Sequence, residues 1–455
     1  MRETTMCDAP VLVIGGGPAG VAAAVSLAES DHRVVLVEQR DRLGGAIHRQ
    51  PANRDIVHSL HGRHHTRNWR ALNERLSAVQ GKIRILYNSV FLGADDTGHA
   101  LIEDRALGRT LSAKAAGLLV AVGAIEHIEP FEGWQLPGVM TAGGAQLMLK
   151  ETGRFVPGRT LVVGSGPLIF AVAAQLASAG APPVALVERG TPWRAPGAAF
   201  RLLASRSTFA ETMRYGSIIL RKRIPYKTGT GIVRAEASGS VLLVEVTSDT
   251  GRIARYEVDN LVISNGLRSN QIGLPRTSES SVYPILHAGD CREILGADAA
   301  IEDGAFAARK LVALLKGAPT PSPSHELEKA RKLQAALRKL TSLDHSELVG
   351  DPIICRCEGM KRSDLLKLGN GRSAFETRLV GRFGTGPCQG RFCRASVNRI
   401  TGISAEELSG RNHQEQRWPL RPVSIASLCS VTPFQTEFEQ EPILLQPANA
   451  VSSKR

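Results

Sequence analysis

The sequence predicts an α/β fold: two units of strand, glycine turn, helix and strand, followed by a small helical unit. Three observations predict it. Residues 11–38 open on VLVIGGGPAG and run through an apolar helix to the strand RVVLVE. Residues 159–188 repeat that plan as RTLVVG, SGPLIF, AVAAQLASAG and PVALVE. Beyond the proline-rich stretch KGAPTPSPSHE, residues 327–400 have helical composition and hold four paired cysteines.

A chain of 455 residues is too long for one compact core. Its 43% hydrophobic and 22% charged residues are those of a soluble globular protein. Forty-five glycines exceed the usual share of roughly 7%, as expected where backbone meets phosphate or turns tightly. The longest apolar run, AAGLLVAVGAI, falls short of the roughly twenty residues that span a membrane. MRETTMCDAP lacks the basic and apolar regions of a signal peptide, so a cytoplasmic location is expected. The net charge is +13, but the arginines are scattered and aromatics make up only 5%. A nucleic-acid partner is therefore not expected. An acidic partner chain, or peripheral association with an anionic membrane face, accounts for the charge.

In the first unit each glycine has a separate task. Gly15 permits the tight turn, Gly17 lets backbone N–H groups meet a pyrophosphate, and Gly20 lets the helix pack close to the strand. Pro18 and Ala19 open that helix, whose N-terminus favours negative charge. Glu38 ends the next strand, where a carboxylate can hold ribose hydroxyls. Gly44 and Gly45 follow in DRLGG, Val90 in the strand pattern IRILYNSVFLGAD, and Gly123 in AVGA, and all are included in the nucleotide site. Much later HAGDC places Asp290 between a strand and a helix, where an acid can meet the ribityl chain of a flavin. Residues 53–80 read as helical and carry His58, His61, His64 and His65. With no acid or cysteine nearby to complete a ligand set, a solvated basic helix or loop is expected there.

The second unit keeps Gly164 and Gly166 but has Ile169 where the third small residue belongs. A branched side chain there pushes helix from strand, so a structural relic is expected rather than a working NAD(P)H site, although Glu188 would suit NAD. Cys355, Cys357, Cys388 and Cys393 form C-x-C and C-x4-C. Four thiolates bind zinc or an iron–sulfur cluster. Zinc pairs usually have two or more intervening residues, and the thiols by themselves leave both groups open. Cys7, Cys291 and Cys429 are isolated, and no C-x-x-C stands beside the first unit.

GGGPAG, Glu38, AVGA and HAGD together resemble the two-dinucleotide-binding flavoprotein superfamily. The resemblance implies FAD in the first site and a split FAD domain, residues 8–128 and 271–318, with a second Rossmann-like domain, residues 129–270, inserted. The cysteine spacing resembles bacterioferritin-associated ferredoxin domains, implying a small helical [2Fe–2S] domain over 327–400 and a C-terminal extension over 401–455. PFEGWQLPGVMTAGGAQ, GSGPLI, GADAA and GTGPCQGRFC add a narrower likeness. The chain resembles the α (A) subunits of heteromeric opine oxidases, hydrogen cyanide synthase and hydroxyproline or proline dehydrogenases. That family implies a β subunit of glycine-oxidase type carrying its own FAD and the substrate site. It implies FMN at the subunit interface. Some members have a small ferredoxin-like γ subunit, and some hold ATP in place of FAD in the first site. Electrons from an oxidised secondary amine or amino acid would leave through flavin and [2Fe–2S] to a quinone-like acceptor. Catalytic acids and bases would lie on the β chain. Two other readings remain: a stand-alone NAD(P)H-dependent flavin reductase, which needs a working second site, and a zinc-containing binding protein with an idle nucleotide fold.

Overall fold

In the computed structural model the described residues are 9–51, 63–191, 206–277, 281–341, 348–369, 371–403 and 419–434. His58, His61 and Cys7 lie outside them. Two parallel five-stranded sheets carry the fold. The first runs Ile285–His287, Gly117–Val120, Val11–Ile14, Val34–Val37 and Ile83–Leu86. The second runs Tyr226–Lys227, Ala185–Glu188, Thr160–Gly164, Asn260–Ser264 and Val139–Thr141. Their central strands are short, mostly apolar and buried throughout, as parallel strands covered on both faces require.

Each sheet is backed by an antiparallel layer. Ser89–Ala94, His99–Asp104 and Arg109–Lys114 cover the first, and Thr230–Ser238, Val241–Ser248 and Ile253–Val258 cover the second. The chain crosses between domains on two short strands, Ala124–Glu126 and Leu267–Ser269, which pair antiparallel. Val431–Pro433 comes back to the first domain and pairs parallel with Arg109–Lys114.

The helix Pro18–Glu29 is almost wholly buried between the first sheet and the helix Ala297–Leu315. Its approach is closer than side chains permit. A Cβ on Gly20 would stand 1.8 Å from the Gly15 carbonyl oxygen, and one on Gly304 would stand 2.1 Å from that of Ala19. The helix His325–Thr341 also lies on this domain, through Leu327 against Leu295 and Ala299 and through Arg331 Nε to Glu293 Oε2 at 3.0 Å.

The thiol-bearing core consists of Ile354, Cys355, Leu365, Phe383, Cys393 and Val397, with Leu348 at its edge. It is seated on the second domain. Trp134 Nε1 donates to Ile353 O at 2.7 Å, the Asp351 N–H donates to Glu132 Oε1 at 2.9 Å, and Arg399 Nη1 donates to Glu129 Oε1 at 3.0 Å. On its other side Arg391 Nη2 donates to Leu420 O at 3.3 Å, in the segment that returns to the first domain. Among the described residues no helix is long and apolar enough to cross a membrane.

Because Gly304 touches backbone that cannot yield, Gly304→Ala should cost about 1–3 kcal/mol or more of stability. Gly216 in the helix Arg206–Arg221 is exposed and a Cβ there meets nothing, so Gly216→Ala should add about 0.5–1 kcal/mol. Thermal unfolding of the two variants checks both signs.

Candidate functional site

A cleft of about 3610 Å³ runs between the two nucleotide-type domains. Its floor is the first glycine turn. Gly15 takes φ 106°, which L side chains rarely adopt, and a Cβ there would meet the Ala121 carbonyl oxygen at 2.5 Å. The Gly16 N–H donates to Glu38 Oε2 at 2.7 Å and the Arg40 N–H to Oε1 at 3.0 Å. Burial pushes the Glu38 carboxyl up, and these two N–H groups oppose the shift. Gly17 caps the helix at φ −77°, with Pro18 in the first turn. The nearest atom to a Cβ on Gly17 is Gly45 Cα at 3.9 Å, so that position opens onto the cleft.

Of the residues read as a nucleotide site, Gly15, Gly17, Pro18, Ala19, Glu38, Gly45, Val90, Gly123 and Asp290 all line this one cleft. Gly20 lies beneath it, at the contact of helix and strand. Gly44 stands behind it, its N–H donating to Gly16 O at 2.8 Å, which lays the Gly44–Gly45 loop on the turn.

Asp290 Oδ1 accepts from the N–H groups of Leu295 and Gly296 at 3.1 and 3.3 Å. It thereby shapes the loop before the helix Ala297–Leu315, and burial pushes its carboxyl up. Sequence reasoning missed Asp303. This fully buried acid accepts the Gly289 N–H at 2.7 Å and pairs with Arg292, fixing the turn that carries Asp290. The signal was there in a lone acid on an otherwise apolar helix face, next to Gly304.

The histidines do meet acids. His64 Nε2 is 2.9 Å from Asp298 Oδ2. His65 lies between Asp298 Oδ1 at 3.5 Å and Glu211 Oε1 at 3.3 Å. Both acids are remote in sequence, and Glu211 comes from the second domain, so His65 is partly buried between acids rather than solvated as the sequence suggested. The Asp298 and Glu211 carboxylates beside it favour the His65 imidazolium, raising it to about 9 against the cost of burial. Among the described residues no three or more His, Cys, Asp or Glu side chains are gathered as the ligands of a single metal ion, neither these histidines nor the four cysteines taken together.

At the second turn Ile169 is fully buried among Val162, Val172, Leu176 and Leu186. Glu188 accepts from the Tyr226 hydroxyl and from the Gly166 N–H. The carboxylate that would hold the adenosine ribose of NAD is thus already engaged, with Tyr226 beside it in the cleft lining.

The four cysteine thiols meet as two pairs. The Cys393 thiol donates to Cys355 sulfur, and the Cys357 thiol pairs with Cys388. The Cys393 bond, with N–H groups of Gly384, Glu358 and Cys357, draws Cys355 down to about 6 against burial. Cys393 and Cys357 are pushed up. A Cβ on Gly386 would stand 2.4 Å from Cys357 Cβ, so glycine is required for the second cysteine loop to close on the first. Arg268, on the crossover strand, is lowered by burial and held up by the nearby Cys393 and Cys388. All six described cysteines are free.

The folded-state value of His65, about 9, lies above its ordinary 6.5. Its contribution is therefore complete below about pH 6.5 and is lost as pH rises through 9. Wild-type thermal stability should fall more between pH 6.5 and 9.5 than that of His65→Gln, as melts across that range would record.

The family model for pyridine nucleotide-disulphide oxidoreductases matches residues 9–284. The hydrogen cyanide synthase subunit HcnB of Pseudomonas aeruginosa is 31% identical, over 86% of this chain and 93% of that protein. The opine oxidase A-type subunit of Agrobacterium tumefaciens is 29% identical, over 92% of this chain and 91% of that one. Among solved structures, L-proline dehydrogenase from P. horikoshii shares the fold at a TM-score of 0.57 and 17% identity, covering 92% of this chain and 79% of its own. The chain belongs to the pyridine nucleotide-disulphide oxidoreductase family, with HcnB and the opine oxidase chain among its homologues, and is by that family an FAD-dependent oxidoreductase.

Proposed function

We propose that this chain is the electron-relaying subunit of a heteromeric oxidase or dehydrogenase, whose partner chain oxidises the C–N bond of an opine, secondary amine or amino acid. The observation that carries the reading is the pairing of an open first nucleotide turn with four thiols in a unit seated on both domains. The names of the relatives, subunits of hydrogen cyanide synthase and opine oxidase, support a partner chain.

The first cleft suits the pyrophosphate of FAD. Its glycines leave no Cβ in the way, and Gly17 and Ala19 present the N-terminus of the helix Pro18–Glu29. Glu38 is positioned for ribose hydroxyls, with Val90, Gly123 and Asp290 along the remaining wall. ATP would use the same turn and the same acid. The cysteine unit suits a [2Fe–2S] centre: Cys355, Cys357, Cys388 and Cys393 would hold it as an all-thiol donor set, with backbone N–H groups near the Cys355 sulfur. When bound, flavin supplies two-electron chemistry and the cluster passes electrons singly.

Tyr226 and Ile169 argue against NAD(P)H as the electron source, because the one occupies Glu188 and the other fills the space under the turn. Electrons then enter from a partner of glycine-oxidase type with its own FAD, across FMN at the interface, and leave to a quinone-like acceptor. A ferredoxin-like γ subunit completes the assembly. We place it in the cytoplasm, with its basic surface available to an acidic partner or an anionic membrane face.

Cys388→Ser should reduce iron from about two per chain to near zero and abolish the reduced-state EPR signal, with nucleotide retained. Equal iron and an unchanged signal would remove the ligand assignment. Gly17→Val should fold, since Gly17 has open space and ordinary φ, yet lose bound nucleotide. Nucleotide extracted in full yield from that variant would place the site elsewhere. Addition of NADH to the intact complex should leave the flavin absorbance unbleached.

A further inference from the structure

The segment that returns after the cysteine unit enters the first nucleotide site. Leu420 is buried with Ile14, Val37 and Phe91, and its N–H donates to Leu92 O at 2.8 Å. The helix Ile425–Cys429 and the strand Val431–Pro433 then bind the segment to Arg109–Lys114, with the Thr110 N–H donating to Ser430 O at 3.2 Å. Next to Leu420, Arg421 is half-buried and lines the cleft beside Ser89, Val90 and Phe91.

Its surroundings are unusual for a cation. The charged neighbours that act on Arg421 are Arg105 and Arg391, both positive. Arg105 Nε is engaged by Glu103 at 3.0 Å and Arg391 Nη2 by Leu420 O. Among the described residues Arg421 has neither a carboxylate nor a carbonyl partner. A partly desolvated guanidinium without a partner is costly, and like charges beside it raise the cost. Such a group, open to the cleft, is suited to an electron-rich ligand face.

Contacts fix which part of a nucleotide that is. The turn at Gly15–Ala19 is the phosphate end. Glu38 is one step away, bonded to Gly16. Ser89 is the next step, its N–H donating to Glu38 O at 2.9 Å, and it begins the strand that holds Leu420. Arg421 therefore lies on the far side of the ribose acid from the phosphates, where the base would be. A planar guanidinium stacks on the face of a purine and tolerates partial burial in doing so.

We infer that Arg421, carried in by the C-terminal return segment, stacks on the adenine of the nucleotide held by the first site. The inference rests on the nucleotide reading of that site. It makes a residue after the cysteine unit part of a binding site whose other residues lie between Gly15 and Asp290.

The test is calorimetric titration of AMP, ADP and FAD into the full-length chain stripped of nucleotide. Arg421→Ala should weaken all three by one common factor, roughly tenfold. Arg421→Lys should not restore affinity, because an ammonium does not stack as a plane. Arg421→Gln, which keeps more of the volume, replaces the alanine variant if that one fails to fold. Unchanged affinity in the folded variant overturns the inference, and so does rescue by lysine. A loss that grows from AMP to ADP overturns it too, since that is the mark of a phosphate contact. If the wild type binds none of the three, the nucleotide reading itself falls, a result distinct from wild-type binding that ignores Arg421.

Discussion

The close approach of three backbones holds this molecule in register. The helix Pro18–Glu29 touches its own strand at Gly20 and the helix Ala297–Leu315 at Ala19 and Gly304, and none of these contacts has room for a further carbon. Two stretches far apart in the chain are thereby locked side by side, and the loop shaped by Asp290 is brought to the mouth of the first glycine turn. Asp303 and Arg292 then fix the turn between them. The second domain has the same outline with the constraint relaxed. Ile169 occupies the place of the third glycine, and the layer beneath is filled with side chains. The same topology thus yields an open floor in one domain and a packed one in the other.

The local patterns were legible because their physics is local. A glycine turn between an apolar strand and a helix depends on neighbours a few residues away, and so does the end-of-strand acid at Glu38. The two nucleotide-type α/β units could be read that way. Tyr226 over Glu188 could not, since 185–188 and 226–227 become neighbours only when the second sheet forms. His65 likewise gave no hint of its acids, because Asp298 follows the return of the first domain and Glu211 belongs to the inserted one. The return of residues 419–434 carried almost no periodicity, its strand being three residues long and its helix five.

Charge has a definite place around the thiols. Arg268 approaches from the crossover strand, while Arg356 lies over the Trp134 ring at 5.7 Å, beside the hydrogen bond that seats the unit. A buried cation near thiolates offsets part of their mutual repulsion, and backbone N–H groups contribute the rest. Arg268 belongs to the same short ladder that joins the domains, so a shift of one domain against the other would be felt at sulfur.

The strand Val431–Pro433 has a consequence for how the protein is made. Its partner, Arg109–Lys114, is synthesised more than three hundred residues earlier. The first sheet itself needs Ile285–His287 beside Gly117–Val120. On the ribosome the amino-terminal domain therefore waits, with a sheet edge bare, while the inserted domain can close on its own contiguous sequence. Contacts of such long sequence separation form slowly, and an unpaired edge invites wrong pairing meanwhile. The order of completion thus differs from the order of synthesis: the first domain, begun earliest, receives its last strand from the end of the described chain.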